Sequence, residues 1–211
     1  MSTAAAGEQA SNGASTAPFG VLFVCTGNIC RSPTAEVLLR ERIGAAGVGD
    51  RVTTASAGVA TEDGWRMDRT IAGLHERRGL SGTDAFRSRL LNGEMLGAAG
   101  LILTGTREHR LRIGRLWPDA YPKTFTLREC SWLLGGMSDT IRAALPAGAP
   151  ARVHAVVRWL QEERGLVATP ESELDIADPI GRRPSVYRRM VDDVAAAIEV
   201  LADAVLPAPQ S

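Results

Sequence analysis

The sequence is nearly without lysine: Lys123 stands alone against 23 arginines. Positive and negative charges still balance, 24 against 24, so bulk electrostatics points to neither a nucleic-acid partner nor a membrane surface. The arginine bias reads as a compositional habit. Cysteine is scarce as well. Cys25, Cys30 and Cys130 are too few and too odd in number for a disulfide scaffold, which implies a reducing, cytoplasmic setting. No apolar run approaches the roughly 18 residues of a membrane-spanning helix. Residues 1–17 lack both the basic and the apolar part of a secretory signal, and their Ala/Ser/Gly/Thr-rich composition predicts a disordered tail. The remainder of the 211 residues, taken as 18–206, fits one domain with a sizeable core.

Within that span, strand-like and helix-like patterns alternate. Phe19 to Val24 is a short, nearly unbroken apolar run, as in a parallel strand covered on both faces. Further strands are predicted at Arg51 to Ala57, Ala98 to Thr104 and Lys123 to Leu127. Helices are predicted from Pro33 to about Ala46, and over Asp68 to Arg78, Arg107 to Leu116, Arg152 to Arg164 and Pro184 to Leu206. This alternation predicts an α/β fold with a parallel sheet.

The first strand stops at Cys25, and the first helix opens six residues later at Arg31. Between them lie Thr26, Gly27, Asn28, Ile29 and Cys30. Gly and Asn enter left-handed backbone conformations most readily, so this loop can curl its N–H groups inward as an anion nest beside a helix N-terminus. Positive surroundings of that kind favour the thiolate, the nucleophilic form of cysteine. Arg31 can grip two oxygens of a bound oxyanion through its planar fork. Ser32 stands where its hydroxyl can donate to the sulfur. These parts suit thiolate attack on a phosphorus atom, with its three equatorial oxygens held by amides and Arg31. Cys30 either packs beneath the loop or pairs with Cys25 in a protective disulfide.

The stretch CTGNICRSP, Cys25 to Pro33, resembles the signature of the low-molecular-weight protein tyrosine phosphatases. The resemblance continues in TASAG (54–58), LILTGTREHR (101–110) and DPIGRR (178–183). It implies a four-stranded parallel sheet of order 2-1-3-4 with helices on both faces, a two-step phosphoenzyme mechanism, and no metal or cofactor. It also selects Asp178 as the acid that protonates the leaving oxygen and then activates water, the usual double duty of a general acid–base. Ile29 and Trp65 match substrate-ring walls. Ile180 stands where the family usually places an aromatic residue.

Cys25 and Asp178 are farther apart in the chain than is usual in that family, and the excess is placed at about 130–167 as a helical insertion covering the sheet edge or narrowing the site. Trp132 and Trp159 there are expected in the core, and Cys130 as a packed thiol. His75, His109 and His154 show no metal-ligand spacing. The expected substrate is a phosphotyrosine protein or another phosphomonoester. Three alternatives remain open: an arsenate reductase, a phosphoarginine phosphatase and a non-catalytic phospho-ligand binder.

Overall fold

A computed structural model describes residues 18–165 and 170–206; the tail predicted over 1–17 lies outside them. The apolar run forms β1 (Phe19–Cys25), nearly all of it buried. It pairs in parallel with β2 (Val52–Gly58) on one side and β3 (Ala99–Thr104) on the other. A three-residue edge strand, β4 (Thr124–Thr126), pairs in parallel with β3. The sheet order is therefore β2-β1-β3-β4. Because β1 is central and parallel to its neighbours, its carboxyl end opens into the crevice where α/β sheets hold ligands.

Helices cover both faces. α1 (Arg31–Ala45) follows β1, and α2 (Arg69–Glu76) begins behind Asp68, whose carboxylate accepts from Thr70 and Ile71 N–H. A short α3 (Gly93–Ala98) leads into β3, and α4 (Arg107–Leu116) follows it. The sequence pattern did not predict α3. Six residues with one buried side chain, Leu96, carry too little periodicity to register.

Three further helices follow β4: α5 (Leu127–Gly135), α6 (Asp139–Ala143) and α7 (Ala149–Glu162). α5 was also missed, although Thr126 and Glu129 form a capping box at its start. Beyond α7, the Arg164 guanidinium donates to Thr124 O at 2.9 Å and lies 4.0 Å from the Phe125 ring centroid. This segment thus sits on the β4 edge. Trp132 departs from expectation: it is exposed on α5, while Trp159 packs against the core. The last helix, α8 (Pro184–Val205), buries Met190, Val191, Val194, Ile198 and Leu201 as a stripe of helical period against α1 and α5.

Candidate active site

The loop from Cys25 to Arg31 curls because its carbonyls are drawn outward. Val59 N–H donates to Cys25 O and Ala60 N–H to Thr26 O, both at 2.9 Å. Asp68 N–H donates to Ile29 O at 3.0 Å, and Thr34 N–H to Cys30 O at 3.1 Å. The N–H groups of residues 26–30, by contrast, donate to no acceptor among the described residues. Donors so arranged beside the start of α1 form a cradle for an anion. Gly58 permits the close wall: a Cβ there would lie 2.6 Å from Thr26 O and 3.0 Å from Asn28 N.

Asn28 takes the left-handed conformation, with φ of 51°. Gly27, expected to share that role, does not have a positive φ. Asn28 is fully buried and its amide is saturated. Nδ2 donates to Ser32 Oγ at 2.9 Å and Ser56 Oγ at 2.8 Å, while Oδ1 accepts from Arg89 N–H at 2.9 Å. Ser56 in turn donates to Glu36 Oε2 at 2.5 Å, and Glu36 pairs with Arg40 and Arg89. This Glu36–Ser56–Asn28 chain locks the loop from beneath. The sequence held one unused signal for it: Ser56 is a polar residue at the buried end of a parallel strand, where a partner is required.

Cys25 sits at the floor, and its Sγ lies 3.0 Å from Ser32 Oγ. Asn28 donates to that hydroxyl, so the Ser32 proton is free to point at the sulfur. Its other acceptor, Ala57 O, is farther away at 3.3 Å. Arg31 is buried at the start of α1 and reaches across the mouth. Nη2 donates to Asp178 Oδ2 at 2.8 Å and Thr26 Oγ1 at 3.2 Å, and Nη1 to Ile176 O at 3.3 Å.

The loop that carries Asp178 is stapled to the β3–α4 junction. Ile176 N–H donates to Gly105 O and Arg107 N–H to Asp175 Oδ1, each at 2.8 Å. Asp178 itself accepts from Ile180 N–H at 3.2 Å and leaves about half of its side chain in solvent. Cys25, Arg31 and Asp178, 153 residues apart in the chain from first to last, are thus brought to one mouth. Trp65 and Ile180 are exposed, and Ile29 is half-buried.

Cys30 is buried in the core, and burial followed by the charge of Asp68 pushes its thiol well up. All three cysteines are free, Cys30 packing beneath the loop and Cys130 inside the core. His109 is a contact that sequence spacing did not reveal. Its Nε2 lies 2.9 Å from Thr26 Oγ1 and its Nδ1 2.9 Å from Thr106 Oγ1. Burial, aided by the Arg31 charge, lowers its pKa to about 4. A neutral imidazole therefore braces the first loop residue. Among the described residues no group of His, Cys, Asp and Glu is placed to hold a metal ion.

Residues 20–135 match the family model described as low molecular weight phosphotyrosine protein phosphatase. The chain is 36% identical over 107 residues to the low-molecular-weight protein-tyrosine-phosphatase Ptp of Acinetobacter johnsonii, covering 51% of this chain and 70% of that one. It is 33% identical over 141 residues to a protein-arginine-phosphatase of Geobacillus stearothermophilus, covering 67% and 87%. Among solved structures, the YwlE arginine phosphatase of the same organism superposes with a TM-score of 0.61 at 28% identity, covering 88% of this chain and 91% of that one.

Proposed function

Given that this chain belongs to the low-molecular-weight phosphotyrosine protein phosphatase family, we propose that it hydrolyses phosphotyrosine in proteins, with Cys25 as nucleophile, Arg31 as phosphate clamp and Asp178 as general acid and base. One observation carries the assignment. The unpartnered amides of residues 26–30 surround the same floor that holds the Cys25 sulfur and faces the Arg31 fork.

In the first step the Cys25 thiolate attacks phosphorus, with Ser32 donating to the sulfur. The S–P bond forms as the bond to the leaving oxygen breaks, and that oxygen takes the Asp178 proton. The phosphoryl dianion occupies the Arg31 guanidinium and the amides of residues 26–30, where charge develops on the equatorial oxygens. Engaging Arg31 in this way frees Asp178 from its ion pair to face the leaving oxygen. In the second step Asp178, now a carboxylate, takes a proton from water as water attacks phosphorus. The S–P bond breaks, releasing inorganic phosphate and restoring the thiolate.

Substrate choice rests on the walls. Ile29 offers only hydrocarbon at the loop, and Trp65, three residues before the Asp68 whose N–H holds Ile29 O, leaves about half its surface exposed. Apolar walls above a deep cradle suit an aryl ester, which holds its phosphorus farther from the peptide backbone than phosphoserine does. Three unpaired thiols support a cytoplasmic setting, and no described helix is long and apolar enough to cross a membrane. The test is a side-by-side comparison of kcat/KM on phosphotyrosine, phosphoserine and phosphoarginine peptides, with arsenate reduction assayed in parallel. Phosphotyrosine is expected to lead. Faster turnover of phosphoarginine or phosphoserine overturns the substrate assignment.

A further inference from the structure

Arg182 and Arg183 close the DPIGRR stretch, yet the chemistry above uses neither. Several other arginines of this charge-balanced chain are held by carboxylate partners, among them Arg31, Arg40, Arg42, Arg78, Arg89 and Arg128. Arg182 and Arg183 are exposed and have no ion pair among the described residues; the same holds for Arg66 and Arg69.

These four lie on two segments that flank one opening. Arg66 follows the wall residue Trp65, and Arg69 opens α2 directly after Asp68, whose N–H holds Ile29 O of the phosphate loop. The Asp68 carboxylate is occupied in capping α2. Across the mouth, Arg182 N–H donates to Pro179 O one residue beyond Asp178, and Arg183 precedes the first turn of α8. Tyr187, a buried residue on that turn, has its pKa raised first by desolvation and then by the charges of Asp68 and Cys30, with Asp178 adding less. Asp63, upstream on the wall, turns its carboxylate to Leu90 N–H.

We propose that Arg66, Arg69, Arg182 and Arg183 form a cationic rim that selects phosphorylated protein segments carrying Asp or Glu beside the phosphorylated residue. The proposal rests on the phosphatase reading of the same site. Exposed charges of one sign around a cleft steer oppositely charged partners and raise their rate of encounter, and salt screens the effect. Each exposed pair contributes little by itself, so the rim acts through number.

The experiment compares two phosphotyrosine peptides, one flanked by Asp and Glu and one by Lys, with para-nitrophenyl phosphate as the unflanked reference. At low salt the acidic peptide is expected to lead the basic one by about tenfold in kcat/KM. Added salt should shrink that ratio. Replacing all four arginines (R66Q, R69Q, R182Q, R183Q) should cost the acidic peptide about tenfold more than it costs para-nitrophenyl phosphate. A wild-type enzyme that hydrolyses the reference but treats both peptides alike overturns the rim and leaves the phosphatase reading standing. Preferential binding of the acidic peptide by the Cys25→Ser chain, with no hydrolysis of the reference by wild type, supports the rim and overturns the phosphatase reading.

Discussion

Arg31 shows how single residues divide the work of this site. Its guanidinium binds Asp178, Thr26 and Ile176 at once, so one rigid fork spans the loop and the acid-bearing segment. A lysine has no such planar fork and cannot reproduce these contacts. Asp178 is the residue whose role is most open to measurement. Asp178→Ala should slow substrates with poor leaving groups by roughly 10²–10⁴-fold. Good leaving groups, which depart without a proton, should lose much less. A leaving-group series in kcat checks this, and equal losses across the series would make Asp178 structural. Residue types at the strand–helix junction pointed to Cys25, Arg31 and Ser32, and the family resemblance alone to Asp178; in the folded chain Cys25 lies beside Ser32 and Arg31 beside Asp178. His109 was not readable. It stands three residues after Thr106 and 83 after Thr26, and only the fold brings the two threonines to its two ring nitrogens.

Among the elements, those with apolar patterning were legible down to the three-residue β4, while the helices α3, α5 and α6 were not. β1 and α8 carry unbroken apolar patterning, and their observed bounds fall within a residue of expectation. α3 has six residues and α6 five, with no apolar stripe to read. α2 and α4 add a consequence that appears only after packing, for each buries a histidine. His75 meets Thr34 Oγ1 at 3.1 Å, and its pKa falls to about 4 because burial disfavours the charged ring and Arg78 repels it. His109 falls to about 4 from burial and Arg31. Both folded values lie below the ordinary 6.5, so the unfolded chain binds more protons in the interval between them. Stability is thus fully present above the ordinary value and is lost as pH falls toward about 4, by up to about 1.4 kcal/mol per pH unit for each ring. Urea denaturation at about pH 7 and about pH 5 checks this. The wild type should lose more stability over that interval than a His75→Asn, His109→Gln variant, and equal losses would mean that neither ring is held neutral by the fold.

On the scale of the whole molecule, a parallel sheet sets the site by ending its central strand at the nucleophile. The order β2-β1-β3-β4 places Cys25 between the ends of β2 and β3. Gly58 then closes one wall, and Gly105 accepts the acid-bearing segment through Ile176. In the segment after β4, Arg164 covers the sheet edge, while α5 reaches the stretch before Asp178 through Arg128, which donates to Glu173 O. The sequence pattern conveyed the layered architecture, but the weight of that segment was visible only as extra chain length. The central claim is covalent catalysis at this strand end. It is tested most directly by mixing the Asp178→Ala enzyme with an aryl phosphate of good leaving-group ability, denaturing it within the first turnover, and mapping the phosphoryl group by peptide mass spectrometry. A phosphoryl group is expected on Cys25, and none in the Cys25→Ala chain. Release of phosphate with no protein-bound phosphoryl group, or a phosphoryl group on any other residue, would contradict it.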